Sequence, residues 1–321
     1  MGLNSRTRFG KIGVLMGGPS SERDISLKSG QAVCEALRQS AVDALPIDIK
    51  TSDRRENISL INSRKIDCAF IALHGFFGED GQIQGILDTL GIQYTGSGKL
   101  ASELAMNKVA SRKIFAGAGL AVPRYRLINK TSYKKGGFRE PDFKLPWVIK
   151  PCGHGSSVGL SIVDKREDFE KGLKTAFAFD KDVLVEEYLR GRELTVGILD
   201  EEALPVIEIV PKNRFFDYQA KYTAGMTDYI LPAQLEDYVA EGTQKAALCA
   251  HQLLGCSGCS RVDIILAEDN TPVVLELNSI PGLTAASLLP KAARFIGIEF
   301  SQLCLRLIRS AYEKAEISLP R

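Results

Sequence analysis

The chain has 321 residues, 45% of them hydrophobic and 25% charged, and its formal net charge is +2. This composition is typical of a globular protein with more than one domain, and the small net charge does not favour binding to nucleic acid or to a membrane surface. No apolar run is long enough to cross a bilayer and no signal peptide is evident. The seven cysteines are dispersed, so we expect reduced thiols and a cytoplasmic protein.

The first part of the chain alternates strands and helices. A buried strand is predicted at KIGVLM (11–16), followed by the turn GGPSS and an amphipathic helix from Glu22 to Arg38. A second buried strand is predicted at IDCAFIAL (66–73), followed by the loop HGFFGEDG and a helix from about Gln82. This order is typical of an open parallel sheet whose functional loops lie at the strand ends.

The middle part begins with two predicted helices, and a polar stretch at 129–146 indicates a surface connection. The strand LPWVIKP, the loop CGHGSSVG and the returning strand LSIV then predict a glycine-rich hairpin. A further helix and the strands VLVEEYL and ELTVGIL follow. In chain order, these predicted elements span about 98–105, 108–117, 145–151, 160–163, 166–178, 183–189 and 193–199.

The last part contains the strand PVIEIVP, the polar stretch NRFFDYQAKYTAGMT, a helix at about 237–254, a hairpin and two C-terminal helices. A polar stretch of this length in a compact domain is often a lid, and Lys221 and Tyr222 lie within it. The hairpin is indicated by two apolar runs, VDIILA and VVLELN, around the turn-forming cluster EDNTP.

We expect the hairpin to turn at 269–270, which places Asp263 opposite Glu276 and Arg261 opposite Asn278. Because side chains alternate along a strand, the other face is apolar. That face is predicted to hold Val262, Ile264, Leu266, Val273, Leu275 and Leu277. Facing carboxylates repel each other and so indicate a missing cation, and the three oxygen donors suit Mg²⁺. An ordinary solvated sheet face is the alternative.

The loop GHGSSVG (153–159) lies between two strands, so it fits neither a P-loop nor a dinucleotide-binding fingerprint. A glycine-rich hairpin can instead fold over phosphates, with backbone N–H groups and the hydroxyls of Ser156 and Ser157 as donors. Lys150, at the end of the preceding strand, can supply a countercharge. An ordinary glycine turn is the alternative.

Several other candidates have a simpler interpretation beside the functional one. Glu22 can cap a helix or hold a substrate ammonium in a strand-end cleft, and His74 can be a core histidine or lie in that cleft. From spacing alone, Glu186 and Glu187 are more simply a pair of exposed charges, and Lys108 a solvated lysine.

Anion binding is indicated just after the hairpin. A helix is predicted to begin between Thr284 and Ser287, preceded by a turn that contains Gly282. Backbone N–H groups at a helix start and a glycine turn attract anions. Gly282 can therefore contribute to an oxyanion hole, and Ser287 can hold a carboxylate.

Together these segments resemble the D-alanine–D-alanine ligase family of ATP-grasp enzymes, in order and over nearly the whole chain. The matching segments are VLMGGPSSERDISLKSG, ALHGFFGEDGQIQGIL, YTGSGKLASELAMNK, VIKPCGHGSSVGLS, EEYLRGRELTVGIL, DYQAKY, and RVDIILAEDN through LELNSIPGLTAASLLPKAA. One departure is Ser260, at a position where the family often has a glycine before the arginine.

The resemblance implies an α/β fold, α+β in the C-terminal part, in which a Rossmann-like N-terminal domain precedes an ATP-grasp fold. The implied division is a substrate domain at 1–97, a central ATP-grasp subdomain at 98–190, and a C-terminal subdomain with the metal hairpin and lid loop at 191–321.

The resemblance also implies residue roles. ATP would be bound by Lys108, Lys150, Ser157, Glu186, Tyr188, Leu189, Glu193 and Lys221. Two Mg²⁺ ions, which Mn²⁺ can replace, would be ligated by Asp263, Glu276 and Asn278. D-alanine would be bound by Glu22, His74, Ser287 and Leu288. The catalytic set would be Glu22, Ser156 and Tyr222, which close the lid, and Arg261 and Gly282, which stabilise the tetrahedral intermediate.

The implied reaction is the ATP-dependent ligation of two D-alanines through an acyl phosphate, with release of ADP and phosphate, in the synthesis of peptidoglycan precursors. The resemblance implies a cytoplasmic homodimer without nucleic-acid or membrane partners. The pair Lys221-Tyr222 favours D-alanine as the second substrate.

Three alternatives remain to be distinguished. Another ATP-grasp ligase would keep the hairpin and lose the set Glu22, Tyr222 and Ser287. A dehydrogenase would need a GxGxxG sequence, which GGPSSER does not supply. A non-catalytic nucleotide-binding protein would be expected to lack metal ligands or Arg261.

Overall fold

A computed structural model of the chain describes residues 9–134, 140–153, 155, 158–212 and 225–318. The described residues form three β-sheets, which follow one another along the chain. Of the helices in these ranges, none is both long enough and apolar enough to span a bilayer.

The first sheet is parallel and has the order β2-β1-β3-β4. Its strands are β1 Lys11–Gly17, β2 Asp43–Ile49, β3 Cys68–Ile71 and β4 Gln93–Tyr94, and its helices are α1 Arg23–Gln39, α2 Arg54–Arg64 and α3 Gln82–Leu90. The two predicted strands and their helices are confirmed. β2 and α2 were not predicted, because proline and polar residues interrupt the apolar pattern of DALPIDI and α2 has almost no apolar stripe.

The second sheet is antiparallel and has the order β5-β8-β6-β7. Its elements are β5 Tyr125–Asn129, α6 Lys130–Lys134, β6 Trp147–Pro151, β7 Ser161–Val163, a 3₁₀ turn Arg166–Asp168, α7 Phe169–Ala176 and β8 Asp182–Glu187. Pairing of β6 with β7 confirms the predicted hairpin. The predicted surface connection instead includes α6 and the buried Phe143, whose carbonyl accepts a hydrogen bond from Trp147 Nε1 at 3.0 Å.

The third sheet is antiparallel and has the order β12-β11-β9-β13-β14, with β10 on β9. Its strands are β9 Gly191–Leu199, β10 Glu202–Ala203, β11 Ile207–Pro211, β12 Thr227–Ile230, β13 Cys259–Ala267 and β14 Pro272–Asn278. The remaining helices are α4 Lys99–Met106, α5 Lys108–Gly117, α8 Asp237–Leu253, α9 Leu288–Phe295 and α10 Phe300–Ser318.

The apolar cores connect regions that are far apart in sequence. One core joins α1 and the first sheet to α9 and α10, and another joins α4, α5 and α8 to β9, β13 and β14. Helices α4 and α5 thus pack on the third sheet, although they fall within the predicted central part. The division at residues 97 and 190 stays a prediction.

The hairpin β13–β14 has the predicted register at its end near the cleft, whereas the pairs nearer the turn, such as Leu266 with Pro272, are shifted by one residue. Arg261 pairs with Asn278 and Asp263 with Glu276, and a bulge follows, so that Ile264 pairs with Val274. An extra residue in one strand reverses the faces beyond it. Val274 therefore lies in the core below the hairpin, where Val262, Ile264, Leu266 and Leu277 lie as predicted. Val273 is buried outside this core, and Leu275 is only partly buried.

Candidate active site

A cleft of about 500 Å³ lies where the first sheet, α4 and α5 meet the hairpin β13–β14 and the loop that follows it. Its lining residues are spread along the sequence from Glu22 to Leu288. Of the predicted site residues, those that line it are Glu22, His74, Lys108, Arg261, Glu276, Asn278, Gly282, Ser287 and Leu288.

The other predicted residues that the structure describes do not line this cleft. Asp263 contacts the lining residue Arg261, and Lys150 and Glu186 contact each other. The remaining three described residues lie where the second and third sheets join, namely Tyr188, Leu189 and Glu193. Four predicted residues lie outside the described ranges, namely Ser156, Ser157, Lys221 and Tyr222.

The polar face of the hairpin carries two ion pairs. Arg261 donates to both carboxylate oxygens of Asp263, from Nε to Oδ1 and from Nη2 to Oδ2, each at 2.9 Å. Thr195, opposite Asp263 on β9, donates from Oγ1 to Oδ1 at 2.7 Å. Lys108 Nζ lies 3.4 Å from Glu276 Oε2. We call Arg261, Asp263, Lys108 and Glu276 the hairpin cluster.

The hairpin cluster corrects the electrostatic argument made from the sequence. The facing carboxylates Asp263 and Glu276 were expected to lack a cation, but each has a cationic side chain of the protein beside it. The argument overlooked Arg261, which lies two residues before Asp263 on the same strand, and it could not include Lys108, which belongs to a helix far away in sequence. Facing carboxylates alone therefore do not demonstrate a metal site.

The oxygen donors still suit a divalent ion by their chemistry. Asp263 and Glu276 offer carboxylate oxygens on adjacent strands, and Asn278 adds an amide oxygen that accepts from the Ile280 N–H at 3.0 Å. Within the described ranges, no group of three His, Cys, Asp or Glu side chains forms a metal site. Two carboxylates and an amide fit a hard ion that takes its other ligands from water and phosphate.

A second charged group, the Glu186 cluster, consists of Arg112, Lys150 and Glu186. Arg112 Nη1 lies 2.7 Å and Lys150 Nζ 3.1 Å from the same oxygen, Oε1 of Glu186. Arg112 has no exposed surface and Glu186 is 2% exposed. The three side chains come from α5, β6 and β8, so tertiary packing alone brings them together.

In the Glu186 cluster, burial and the neighbouring charges shift the pKa values in opposite directions. Burial alone would raise the pKa of Glu186, but the cations Arg112 and Lys150 outweigh it and hold this pKa below its ordinary value. Burial lowers the pKa of Lys150, against the attraction of Glu186. The interpretation of Glu186 and Glu187 as exposed charges is wrong for Glu186, and the solvated interpretation of Lys108 is also wrong, since it is 6% exposed.

The first sheet contributes Glu22 at the start of α1. Its side chain makes no capping hydrogen bond to the helix. The Glu22 N–H instead donates to Ser20 Oγ at 3.1 Å, and Ser20 Oγ donates to the His74 carbonyl at 2.7 Å. A Cβ on Gly75 would lie 2.5 Å from Glu22 Oε2, so the glycine leaves room for this carboxylate in the cleft.

His74 is both buried and part of the cleft wall. It is 4% exposed, its Nε2 lies 2.9 Å from Ser29 Oγ, and its Nδ1 lies 3.5 Å from Glu79 Oε1. Burial raises the pKa of Glu79, which Glu22 raises further and the His74 contact lowers. Two carboxylates and an imidazole thus share this end of the cleft, which suits a bound cation such as an ammonium.

The loop after β14 contributes Gly282 and Ser287. Ser287 immediately precedes α9, and its Oγ accepts from the Thr284 N–H at 3.2 Å. A Cβ on Gly282 would lie 2.9 Å from Ser287 Oγ, so glycine permits this close approach. The predicted helix start is confirmed to within one residue, and its N-terminus, which favours anions, borders the cleft.

Some residues of the site were missed from the sequence. Arg112 follows Lys108 by one helical turn, a spacing that could have indicated a shared face. Glu79 lies in the glycine-bearing loop after His74, and the sequence analysis named this loop without singling out Glu79. Thr195 gave no signal, because its role depends on the pairing of β9 with β13. Lys28 and Tyr229 also line the cleft.

Comparison with protein-family models gives two matches that together span most of the chain. The model described as "D-ala D-ala ligase N-terminus" matches residues 11–61 and 51–97, and the model described as "D-ala D-ala ligase C-terminus" matches residues 114–309.

Curated relatives are similar over nearly their whole length. A D-alanine–D-alanine ligase of Geotalea uraniireducens is 48% identical over 301 residues, which cover 94% of this chain and 95% of the relative. A D-alanine–D-alanine ligase of Pelotomaculum thermopropionicum is 45% identical over 316 residues, which cover 96% and 98%.

Solved structures share the fold. The D-alanine–D-alanine ligase of Bacillus anthracis complexed with ATP matches with a TM-score of 0.82 at 33% identity, covering 96% of this chain and 99% of that one. The VanG D-Ala:D-Ser ligase of Enterococcus faecalis matches with a TM-score of 0.81 at 31% identity, covering 94% and 99%. These matches confirm the predicted fold class.

Proposed function

The chain belongs to the D-alanine–D-alanine ligase family, and from that premise we propose how its cleft joins two D-alanine molecules. The reaction is the ATP-dependent formation of D-alanyl-D-alanine, ADP and phosphate for peptidoglycan synthesis, classified as EC 6.3.2.4. One observation carries the assignment of residues, namely that Glu22, Arg261, Glu276 and Ser287 border one cleft although they are far apart in sequence.

In the first step, a carboxylate oxygen of the first D-alanine attacks the γ-phosphorus of ATP, and the bond from that phosphorus to ADP breaks. The reactants are both anionic, so positive charge must lie beside the phosphates. We propose that Lys108 and Lys150 supply this positive charge, and the contact with Glu186 holds the ammonium group of Lys150 in place. Ser157 and Lys221, outside the described residues, are proposed to add phosphate contacts.

Asp263, Glu276 and Asn278 are proposed to hold two Mg²⁺ ions, for which Mn²⁺ can substitute. Their oxygen donors fit a hard ion, and Arg261 and Lys108 offset the carboxylate charges in the absence of one. When bound, the ions would neutralise charge on the phosphates. Glu186, Tyr188, Leu189 and Glu193 are proposed to contact adenine and ribose.

The end of the cleft near the first sheet is proposed to bind the first D-alanine. Glu22 would accept hydrogen bonds from its ammonium group, and His74 would lie beside it. Glu79 shares this end, and its raised pKa reflects burial next to Glu22. A carboxylate held at a helix start, with glycine beside it, can approach a small substrate without steric conflict.

In the second step, the amine of the second D-alanine attacks the acyl carbon, and the bond from this carbon to the phosphate oxygen breaks. Ser287 and Leu288 are proposed to hold the second carboxylate at the start of α9. Arg261 and the Gly282 N–H are proposed to stabilise the negative oxygen of the tetrahedral intermediate. Ser156 and Tyr222, outside the described residues, are proposed to act with Glu22 in closing the lid, which would exclude water.

A cytoplasmic location and a homodimer are further proposals, which follow the family alone.

The direct test is phosphate release from MgATP with D-alanine, L-alanine or no amino acid, together with mass spectrometry of the product. We expect release and D-alanyl-D-alanine with D-alanine only. Equal release with L-alanine, or release without a dipeptide, would contradict the proposal. With D-serine added as a competing second substrate, the product distinguishes D-alanyl-D-alanine formation from the D-Ala:D-Ser ligase activity named for VanG.

A further inference from the structure

A buried histidine connects a surface carboxylate to the strand that carries Arg261. His251, in α8, has no exposed surface. Its Nδ1 lies 2.7 Å from Ser260 Oγ, and its Nε2 lies 3.2 Å from Glu201 Oε1. Because an ionised carboxylate only accepts, Nε2 carries the proton. Nδ1 is then the acceptor, and the Ser260 hydroxyl donates to it.

The surroundings keep this arrangement in one state at neutral pH. Burial lowers the pKa of His251, against the attraction of Glu201, and thereby favours the neutral imidazole. The ring contacts Glu201 from the turn between β9 and β10 and Ser260 from β13, while the backbone carbonyl of His251 accepts from the Cys256 N–H at 3.1 Å. Both ring nitrogens have defined partners, so the ring orientation is fixed.

Ser260 lies where β13 has a neighbouring strand on one side only. Ser260 pairs with Ile198 of β9, whereas the pairing with β14 begins at the next residue, Arg261 with Asn278. Neighbouring side chains on a strand point to opposite faces. Ser260 therefore contacts α8 while Arg261 faces the cleft, and the hydrogen bond to His251 holds the backbone immediately before Arg261.

The carboxylate end of this connection is also constrained. Asp200 and Glu201 form the turn between β9 and β10 with φ angles of 48° and 64°, a left-handed conformation that is uncommon for residues other than glycine. Arg306 Nε donates to Asp200 Oδ2 at 3.1 Å, and His251 contacts Glu201. These two contacts hold the turn in this conformation, and hence the Glu201 carboxylate.

We propose that Glu201, His251 and Ser260 form a hydrogen-bonded relay that positions Arg261 for the ligation step, a proposal that rests on the role given to Arg261 above. Ser260 is a positioning residue here. It has no exposed surface, so no substrate can reach its hydroxyl. The relay fixes the strand, and the pair with Asp263 fixes the guanidinium. Arg261 is thus constrained at both its backbone and its side chain.

The test removes the hydroxyl of Ser260 by a substitution that β13 can accommodate. Ser260→Ala is expected to lower kcat about tenfold, because a small displacement of a group that acts in the transition state slows the reaction strongly. KM for ATP should change less than about twofold, since the relay does not touch the proposed nucleotide contacts. Ser260→Thr, which keeps the hydroxyl, is expected to retain at least about half of the wild-type kcat.

Thr243→Val is the matched control for loss of a buried hydroxyl. Thr243 lies in the same helix as His251, has no exposed surface, and donates from Oγ1 to the Val239 carbonyl at 2.8 Å. This hydrogen bond lies within α8 and does not lead to Arg261. Urea unfolding should show similar losses of stability for Thr243→Val and Ser260→Ala, and only Ser260→Ala should lose kcat.

A double-mutant cycle with Arg261→Lys distinguishes a failure of the relay from a failure of the role proposed for Arg261. If Ser260 acts through Arg261, then Ser260→Ala should change kcat less than about twofold in the Arg261→Lys background. Independent, multiplicative losses, an unchanged kcat in Ser260→Ala, or an equal kcat loss in Thr243→Val would each overturn the relay. An unchanged kcat in Arg261→Lys alone would instead overturn the role proposed for Arg261.

Discussion

The hairpin cluster and the Glu186 cluster both contain buried charged side chains, but they differ in net charge. In the hairpin cluster, Arg261 and Lys108 face Asp263 and Glu276, two cations with two carboxylates. In the Glu186 cluster, Arg112 and Lys150 converge on one carboxylate oxygen. Within these side chains, the first cluster is neutral and the second carries an excess positive charge.

This difference in net charge suggests different roles for the two clusters. A neutral set of side chains can exist without a ligand, and its carboxylates can exchange a protein cation for a metal ion. An excess of buried positive charge is costly until an anion arrives. We therefore expect the hairpin cluster to matter chiefly for chemistry. In the Glu186 cluster we expect the carboxylate to matter for folding and Lys150 for binding phosphate.

The largest expected effect is a loss of turnover when a carboxylate of the hairpin cluster is replaced. Glu276→Gln removes a charged ligand from the proposed metal site and should lower kcat by about 10³-fold or more, as for loss of a major electrostatic group in a transition state. Phosphate release measures it. The control is Glu208→Gln, in the same sheet, which breaks a bidentate pair with Arg192 away from the cleft and should keep turnover. Full turnover in Glu276→Gln would exclude the metal assignment.

The next effect concerns folding. Glu186→Gln leaves the buried cations Arg112 and Lys150 without their carboxylate and should lower the free energy of unfolding by about 3 kcal/mol. The neighbouring Glu187→Gln breaks a pair with the largely exposed Arg124 and should cost about 1 kcal/mol or less. Urea unfolding measures both. Equal losses would show that the buried cluster has no special stabilising role.

A third prediction concerns nucleotide binding. Lys150→Met removes the excess cation while Arg112 still pairs with Glu186. The dissociation constant for ATP should rise about tenfold, equivalent to about 1.4 kcal/mol. The free energy of unfolding should change by less than about 1 kcal/mol, because one cation remains for the carboxylate. Calorimetric titration with ATP measures the first quantity. A large loss of stability with unchanged ATP affinity would reverse the assignment of tasks.

The smallest effect is a pH dependence. Because burial lowers the pKa of Lys150, the folded protein releases this proton at a lower pH than the unfolded chain does. Between the lowered pKa and the ordinary value of about 10.5, the unfolded chain binds more protons, so stability rises with pH. The wild type should therefore gain stability relative to Lys150→Met as the pH rises toward that value. Urea unfolding at several alkaline pH values tests this, and a falling difference would contradict it.

The sequence was most informative where function depends on neighbours along one strand or across one turn. The pairing of Asp263 with Glu276 was predicted correctly, but the turn centres on Asp269 and not between 269 and 270, and the bulge offsets this difference. Leu275 was assigned to the wrong face because a bulge leaves no mark in an apolar run. Arg112 was missed, and Glu186 was interpreted as exposed, because their pairing depends on packing between a helix and a separate sheet.

The last helix, α10, has a consequence for how the chain is made. Leu307 and Ile308 lie in the same buried core as Val14, and the Tyr312 hydroxyl donates to the Phe9 carbonyl at 2.7 Å. The first strand leaves the ribosome long before α10 does. The nascent N-terminal sheet must therefore keep an apolar face uncovered until α10 has been synthesised, so the folding of this protein cannot be completed strictly from the N-terminus onward.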